Sequence, residues 1–264
     1  MFEETFGLKI MPTRLEGAAA SAYAPAVRGV LLKIHAAAAG KVLLRSINYW
    51  GFTVRIVPYL GDDPCGADVI PEYNPDTGFI SPRVRYSPDK YHRSGSCPQL
   101  AGTEWPEVIL FHELVHAFRM ISQSLRRNYT HAQMTGGLYR YTDLEEFVAV
   151  LSENVLRSER GNPLRADHHT TNVLSPQLSD SFGFFASSAQ TFRFVERFCK
   201  ENPGFTKALS QVRSRFNPLA AYYKDRQKAL EQSYRAASIQ RDAAGFEQDF
   251  FEKMARGRSP VLPP

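Results

Sequence analysis

The sequence predicts an α+β protein in which a small, mostly antiparallel sheet packs on one strongly apolar helix and a helical C-terminal extension follows. Three observations predict it. Apolar residues recur at helical spacing over 25–35 and again from Pro106 onward, β-branched residues alternate over 52–57 ahead of turn chemistry, and past about residue 175 only amphipathic helical patterns remain. That change of pattern divides the chain into a core, 1–175, and a helical subdomain, 176–264.

The first helix is read from Pro25 to His35, where Val27, Val30, Leu31 and Ile34 share one face. Gly40 reads as its stop, with a second helix over Lys41–Asn48. Alternation over Phe52–Val57, closed by Pro58, gives a strand. Asn74-Pro-Asp-Thr-Gly78 carries turn residues and Arg83–Tyr86 resumes alternation, so a hairpin is expected. Its second strand, bracketed by Pro82 and Pro88, reads as an edge strand. As an edge it offers a place for an extended peptide to add as a further strand.

Residues 94–102 read as a loop. Thr103 or Glu104 then stands near the cap of a helix that has Pro106 in its first turn and runs through Phe118. A loop over 126–140 precedes a helix from Thr142 that ends at Gly161, with Pro163 just beyond. Four amphipathic helices follow, over 189–200, 205–216, 219–237 and 241–254. Their aromatic residues, among them Phe192, Phe194, Phe198, Tyr222, Tyr234 and Phe250, read as core.

Composition excludes several classes. An apolar share of 43% with 22% charged residues in 264 residues describes a globular chain large enough to bury a core without disulfides. Three cysteines do not make a disulfide framework; they favour a reducing compartment while leaving a Cys65–Cys97 pair open. No apolar run is long enough to span a membrane, and the start MFEETFGLKI lacks the features of a secretory signal. A net charge of +5 spread along helices is a solvated face rather than a nucleic-acid stripe.

Chemistry concentrates in Val108–Arg119, which contains His112-Glu113-Leu-Val-His116. Helix positions four apart differ by about 40° around the axis, so both imidazoles leave one face and reach one metal ion. Neutral imidazoles suit Zn²⁺, and Glu113 between them is placed to take a proton from the attacking water. Val108, Ile109, Phe111, Leu114, Val115 and Phe118 make this helix apolar nearly all round. Two histidines and a glutamate buried there need partners.

A third ligand is expected from Glu145-Glu146 on the next helix. Thr142-x-x-Glu145 matches a capping box, which favours Glu145 for the backbone and Glu146 for the metal, with Glu145 the next candidate ligand. Asp143 and His131 are weaker alternatives. Arg157 is expected in a buried ion pair with Glu153 or Glu159, and Asn154 in a structural hydrogen bond.

His112–Ala117, the Glu145-Glu146 pair and the segment Ser152–Arg165 together resemble the NleD-type effector metallopeptidases injected by bacterial type III secretion systems. That family is in turn similar to the catalytic light chains of clostridial neurotoxins, which pair H-E-x-x-H with a glutamate from an E-E pair. The resemblance covers about residues 105–170, extends more loosely back to about 40, and leaves out the C-terminal helices. It implies a zincin-like core and a gluzincin-like zinc endopeptidase. It also implies delivery into the host-cell cytoplasm by a specialised secretion system, host proteins as substrates and a secretion chaperone as a further partner. In those relatives an arginine and a tyrosine spaced R-x-x-Y assist at the scissile carbonyl. Here Arg165 is followed by His168 at the tyrosine's place, making both candidate catalytic residues. Two rival readings keep the metal but change the role: a metal-stabilised binding protein without turnover, and a metallopeptidase toxin aimed at competing bacteria.

Overall fold

The computed structural model describes residues 2–73, 80–91, 97, 105–122, 144–167 and 172–228. Strand β1 (Leu8–Ile10) leads into helices α1 (Gly17–Ala36) and α2 (Ala38–Tyr49); β2 (Val54–Val57), β3 (Asp68–Tyr73) and β4 (Ile80–Arg85) complete a four-stranded sheet. Then come α3 (Pro106–Ile121), α4 (Leu144–Glu159), α5 (Ser181–Phe185), α6 (Ala189–Glu201) and α7 (Pro203–Ser210). The class is α+β, as the periodicities predict. Among the described residues no helix is long and apolar enough to cross a membrane.

The sheet is mixed rather than mostly antiparallel. Its order is β1-β2-β4-β3, with β1–β2 and β2–β4 parallel and only β3–β4 antiparallel. The cause lies in the connections, because α1 and α2 form the long crossover that a parallel pair requires. β1 escaped the sequence reading; three residues, Leu-Lys-Ile, are too short to display alternation.

β4 is also not the edge strand its prolines suggested. It lies between β2 and β3, and the edges are β1 and β3. Pro82 is tolerated inside because it faces Pro71 across the hairpin, a pairing in which neither residue has a donor to lose. Beside it the Ser81 hydroxyl donates to the Thr53 carbonyl at 2.7 Å. Val54, Ile56 and Val84 are fully buried on one face, while Arg55 and Arg83 share Glu72 on the other at 2.6 and 3.0 Å.

α1 begins eight residues before the predicted Pro25 and carries that proline inside it. The extra turns are alanine-rich, and Tyr23 anchors them by donating to the Tyr86 carbonyl at 2.9 Å. The break between α1 and α2 falls at Ala37, and Gly40 sits within α2. Glycine is required there for space rather than termination, since a Cβ at Gly40 would lie 1.8 Å from the Ile34 carbonyl oxygen.

α3 is buried around its circumference and touches β3, β4, α1, α2 and α4. α4 closes at Gly161, whose φ of 73° is the left-handed cap expected of it. α6 matches its predicted span to within a residue, and α7 stops at Ser210, short of the expected 216. Of the predicted helix 219–237, residues 218–228 are described and helical; the helix over 241–254 lies outside the described residues. The chain divides into compact units Met1–Ala221 and Tyr222–Pro264, and within the first α6 and α7 pack on α4 and α2. Cys65 and Cys97 form a disulfide, and Cys199 is a buried thiol.

Gly40→Ala tests the crossing of α1 and α2. Helix propensity alone favours alanine by about 1 kcal/mol. The clash is with backbone, which cannot swing aside, so a net loss on the order of 1–3 kcal/mol is expected in urea unfolding. An alanine variant as stable as wild type would contradict the packing.

Candidate metal centre

Two neighbouring turns of α3 present His112 and His116, and the first turn of α4 presents Glu146. The three could hold one metal ion, each offering a ligand atom within 4.8 Å of the others. His112 Nε2 lies 3.1 Å from Glu146 Oε2 and 3.1 Å from His116 Nε2, and His116 Nε2 lies 3.4 Å from Glu146 Oε1. Glu113, also buried, stands next to His112 on the same helix and is outside this trio.

Behind His112 stands Glu153, fully buried, which accepts from His112 Nδ1 at 2.9 Å. It also accepts from Arg157 Nε at 2.5 Å and from Arg165 Nη1 at 3.1 Å. Burial alone would raise the Glu153 pKa, but the two guanidiniums and His112 hold it well below the usual carboxylate range. An ionised acceptor at Nδ1 holds a ring proton there and leaves Nε2 as the atom that faces Glu146 and His116. Arg157 therefore pairs with Glu153; Glu159 instead caps the start of α2, accepting from Ala38 and Ala39 N–H at 2.6 and 3.0 Å.

Among the described residues the partner of Glu145 is Arg119. Both its oxygens accept from Arg119, at 2.8 and 2.7 Å, because a guanidinium fork matches a carboxylate in two parallel bonds. Glu146, one residue on and about 100° around the helix, is the carboxylate that faces the imidazoles. Thr142, Asp143, His131 and His168 lie outside the described residues.

Arg165 is held from its backbone by Asn154, which donates to the Arg165 carbonyl at 2.9 Å and accepts its N–H at 2.8 Å. Asn154 thus has the structural hydrogen bonds expected of it, and the Arg165 side chain reaches the cluster by way of Glu153. Sequence reasoning weighed Glu153 only as an ion-pair partner. A signal for more was present: Glu153 follows Glu146 by seven residues, two turns along one face of α4. Arg119 carried no comparable signal, since two of its partners lie over 80 residues away.

Electrostatics in the cluster are strongly coupled. Burial acts to lower the pKa of His112, but the hydrogen bonds and charges of Glu146 and Glu153 outweigh it and carry the imidazole up to about 10. His116 is raised as well, with burial opposing and Glu146 prevailing. Glu146 is held far below its ordinary value by the two histidines, against the effect of burial. Glu113 moves the other way, raised by burial and by the charges of Glu146 and of Asp68 at the start of β3, with the histidines opposing.

Comparisons of the chain with protein-family models, curated proteins and solved structures return no match.

The raised histidines give a pH signature. An imidazole titrates near 6.5 in the unfolded chain and near 10 at His112 in the folded one. The protonated form stabilises the fold fully below about pH 6.5, and that contribution is lost as pH rises through about 10. Urea unfolding of chelator-treated protein is expected to show stability falling across this window. Added zinc, which competes with the proton for the same lone pairs, should abolish the decline. Metal-free stability that is flat or rising between those limits would contradict the arrangement.

Proposed function

We propose that the chain is a zinc-dependent metalloendopeptidase that hydrolyses peptide bonds in protein substrates. One observation carries the reading: two imidazole nitrogens and a carboxylate converge with the spacing a tetrahedral ion needs. Four ligands at about 2.0–2.1 Å around zinc stand about 3.3–3.4 Å apart; the two Nε2 atoms are 3.1 Å apart, and each faces a different oxygen of Glu146, at 3.1 Å from His112 and 3.4 Å from His116. Two nitrogen donors favour zinc over calcium or magnesium, which prefer oxygen shells. Three protein ligands leave a fourth position open, the pattern of catalytic rather than structural zinc.

Zinc, when bound, supplies Lewis-acid polarisation of the scissile carbonyl and makes water acidic enough to lose a proton near neutral pH. Glu113 is the group that takes that proton at its carboxylate and later returns it to the leaving amine. A pKa raised by burial suits a group that must both accept and donate near neutrality. Glu153 keeps His112 in the required tautomer. Arg165, paired with Glu153, is the cation nearest to the role that the NleD-type resemblance assigns to an arginine at the carbonyl oxygen. His168 remains the second donor in this scheme.

Substrate docking moves from β4 to β3, an edge of the sheet. β3 packs beside α3, the helix that carries Glu113, and one of its sides is free of a neighbouring strand, so a peptide could add along it. The NleD-type resemblance makes host-cell proteins the substrate class and delivery by a specialised bacterial secretion system the route.

Glu113→Gln is expected to retain zinc and lose nearly all peptidase activity, on the order of a thousandfold or more, because the base is gone while the ligands remain. His116→Ala is expected to lose both metal and activity. The assay is incubation of purified protein with host-cell lysate, with and without chelator, followed by mapping of new peptide termini. Chelator-insensitive cleavage, or full activity in Glu113→Gln, would overturn the assignment.

A further inference from the structure

We propose that Arg119 is a positioning residue for the metal centre, and that through it the end of α6 belongs to the site. This rests on the zinc reading above and gives a role to helices that the sequence left without one. Arg119 lies three residues beyond His116 on α3, and its side chain is almost fully buried. Besides its two bonds to Glu145, it donates from Nη1 to Asn202 Oδ1 at 2.5 Å and from Nη2 to Glu201 Oε2 at 3.0 Å. Its guanidinium carbon lies 5.7 Å from the Phe198 ring centroid, and Glu201 is itself steadied by Arg197 at 2.8 Å.

The geometry explains why such a clamp bears on metal. Zinc tolerates bond-length errors of only about 0.2 Å, so Glu146 has to arrive at the imidazoles with a defined distance and angle. Glu146 directly follows Glu145 on α4, so the two carboxylates share one turn of the helix. Glu145 and Glu146 project about 100° apart on that turn. A single hydrogen bond to Glu145 would leave the turn free to rotate about its axis. A two-bond fork fixes both distance and orientation, so seating Glu145 aims Glu146.

The fork in turn needs a fixed guanidinium. α3 supplies its backbone, and the α6–α7 corner supplies the opposite walls: Asn202 both ends α6 and precedes α7, and its amide donates to Ser122 Oγ at 3.3 Å. α3, which carries both histidines, and α4, which carries the carboxylate, are thereby held in register by a cation seated on α6. The pairing with Glu145 and Glu201 also keeps Arg119 charged against the pull of burial.

The test measures zinc affinity of the full chain by competition with a chromophoric chelator, at a temperature where circular dichroism shows every variant folded. Arg119→Lys, which keeps the charge but lacks the fork, and Asn202→Ala are expected to weaken zinc binding about tenfold, the effect typical of residues that orient metal ligands. Leu209→Ala, a buried change in α7 away from the clamp, is the control for lost stability and should bind zinc as wild type does. Should Asn202→Ala fail to fold, Glu201→Gln, which preserves side-chain volume, takes its place and is expected to weaken binding in the same direction. Clamp variants that lose thermal stability yet match wild-type zinc affinity overturn the proposal and leave Arg119 a structural residue. A wild-type chain that binds no zinc overturns the metal reading itself.

Discussion

The structure depends on how charge is accommodated around α3. This helix is buried on nearly all sides, yet it carries His112, Glu113, His116 and Arg119. Isolated, each would carry a large desolvation cost. For His112, His116 and Arg119 the cost is met by α4, which faces α3 with three carboxylates along its length: Glu145 on Arg119, Glu146 on both imidazoles and Glu153 behind His112. Breaking any one pairing would leave an uncompensated charge in an apolar interior, which is why the two helices have one register.

That matching produces the centre as a by-product of packing. Glu145 and Glu153 are taken up by guanidiniums, Glu153 also holding His112 Nδ1, and Glu146 is the carboxylate that faces Nε2 of both histidines. The sheet contributes from the other side, where β3 and β4 touch α3 and Asp68 influences Glu113. The α6–α7 corner, far along the chain, closes around Arg119. Residues separated by more than 80 positions thus bear on one small volume.

How much of this was legible depended on whether the signal was local. The H-E-x-x-H spacing needs only five residues and one helical turn, so it could be read directly. The choice of Glu146 was also readable; Thr142 of the expected capping box lies outside the described residues, and the partner described for Glu145 is Arg119. Non-local pairings were not readable. β4 carries two prolines' worth of edge chemistry around it, and only the facing Pro71 explains its interior place. Gly40 looked like a stop because close approach of Ile34 leaves no trace in the local pattern. The parallel pairings could not be seen because β1 is three residues long.

X-ray absorption spectroscopy of the zinc-loaded protein tests the central claim most directly. The account requires a four-coordinate first shell of nitrogen and oxygen at about 2.0–2.1 Å, with the multiple-scattering pattern of two imidazoles and no sulfur. A shell containing thiolate, one built from six oxygens, or one showing fewer than two imidazoles would contradict it.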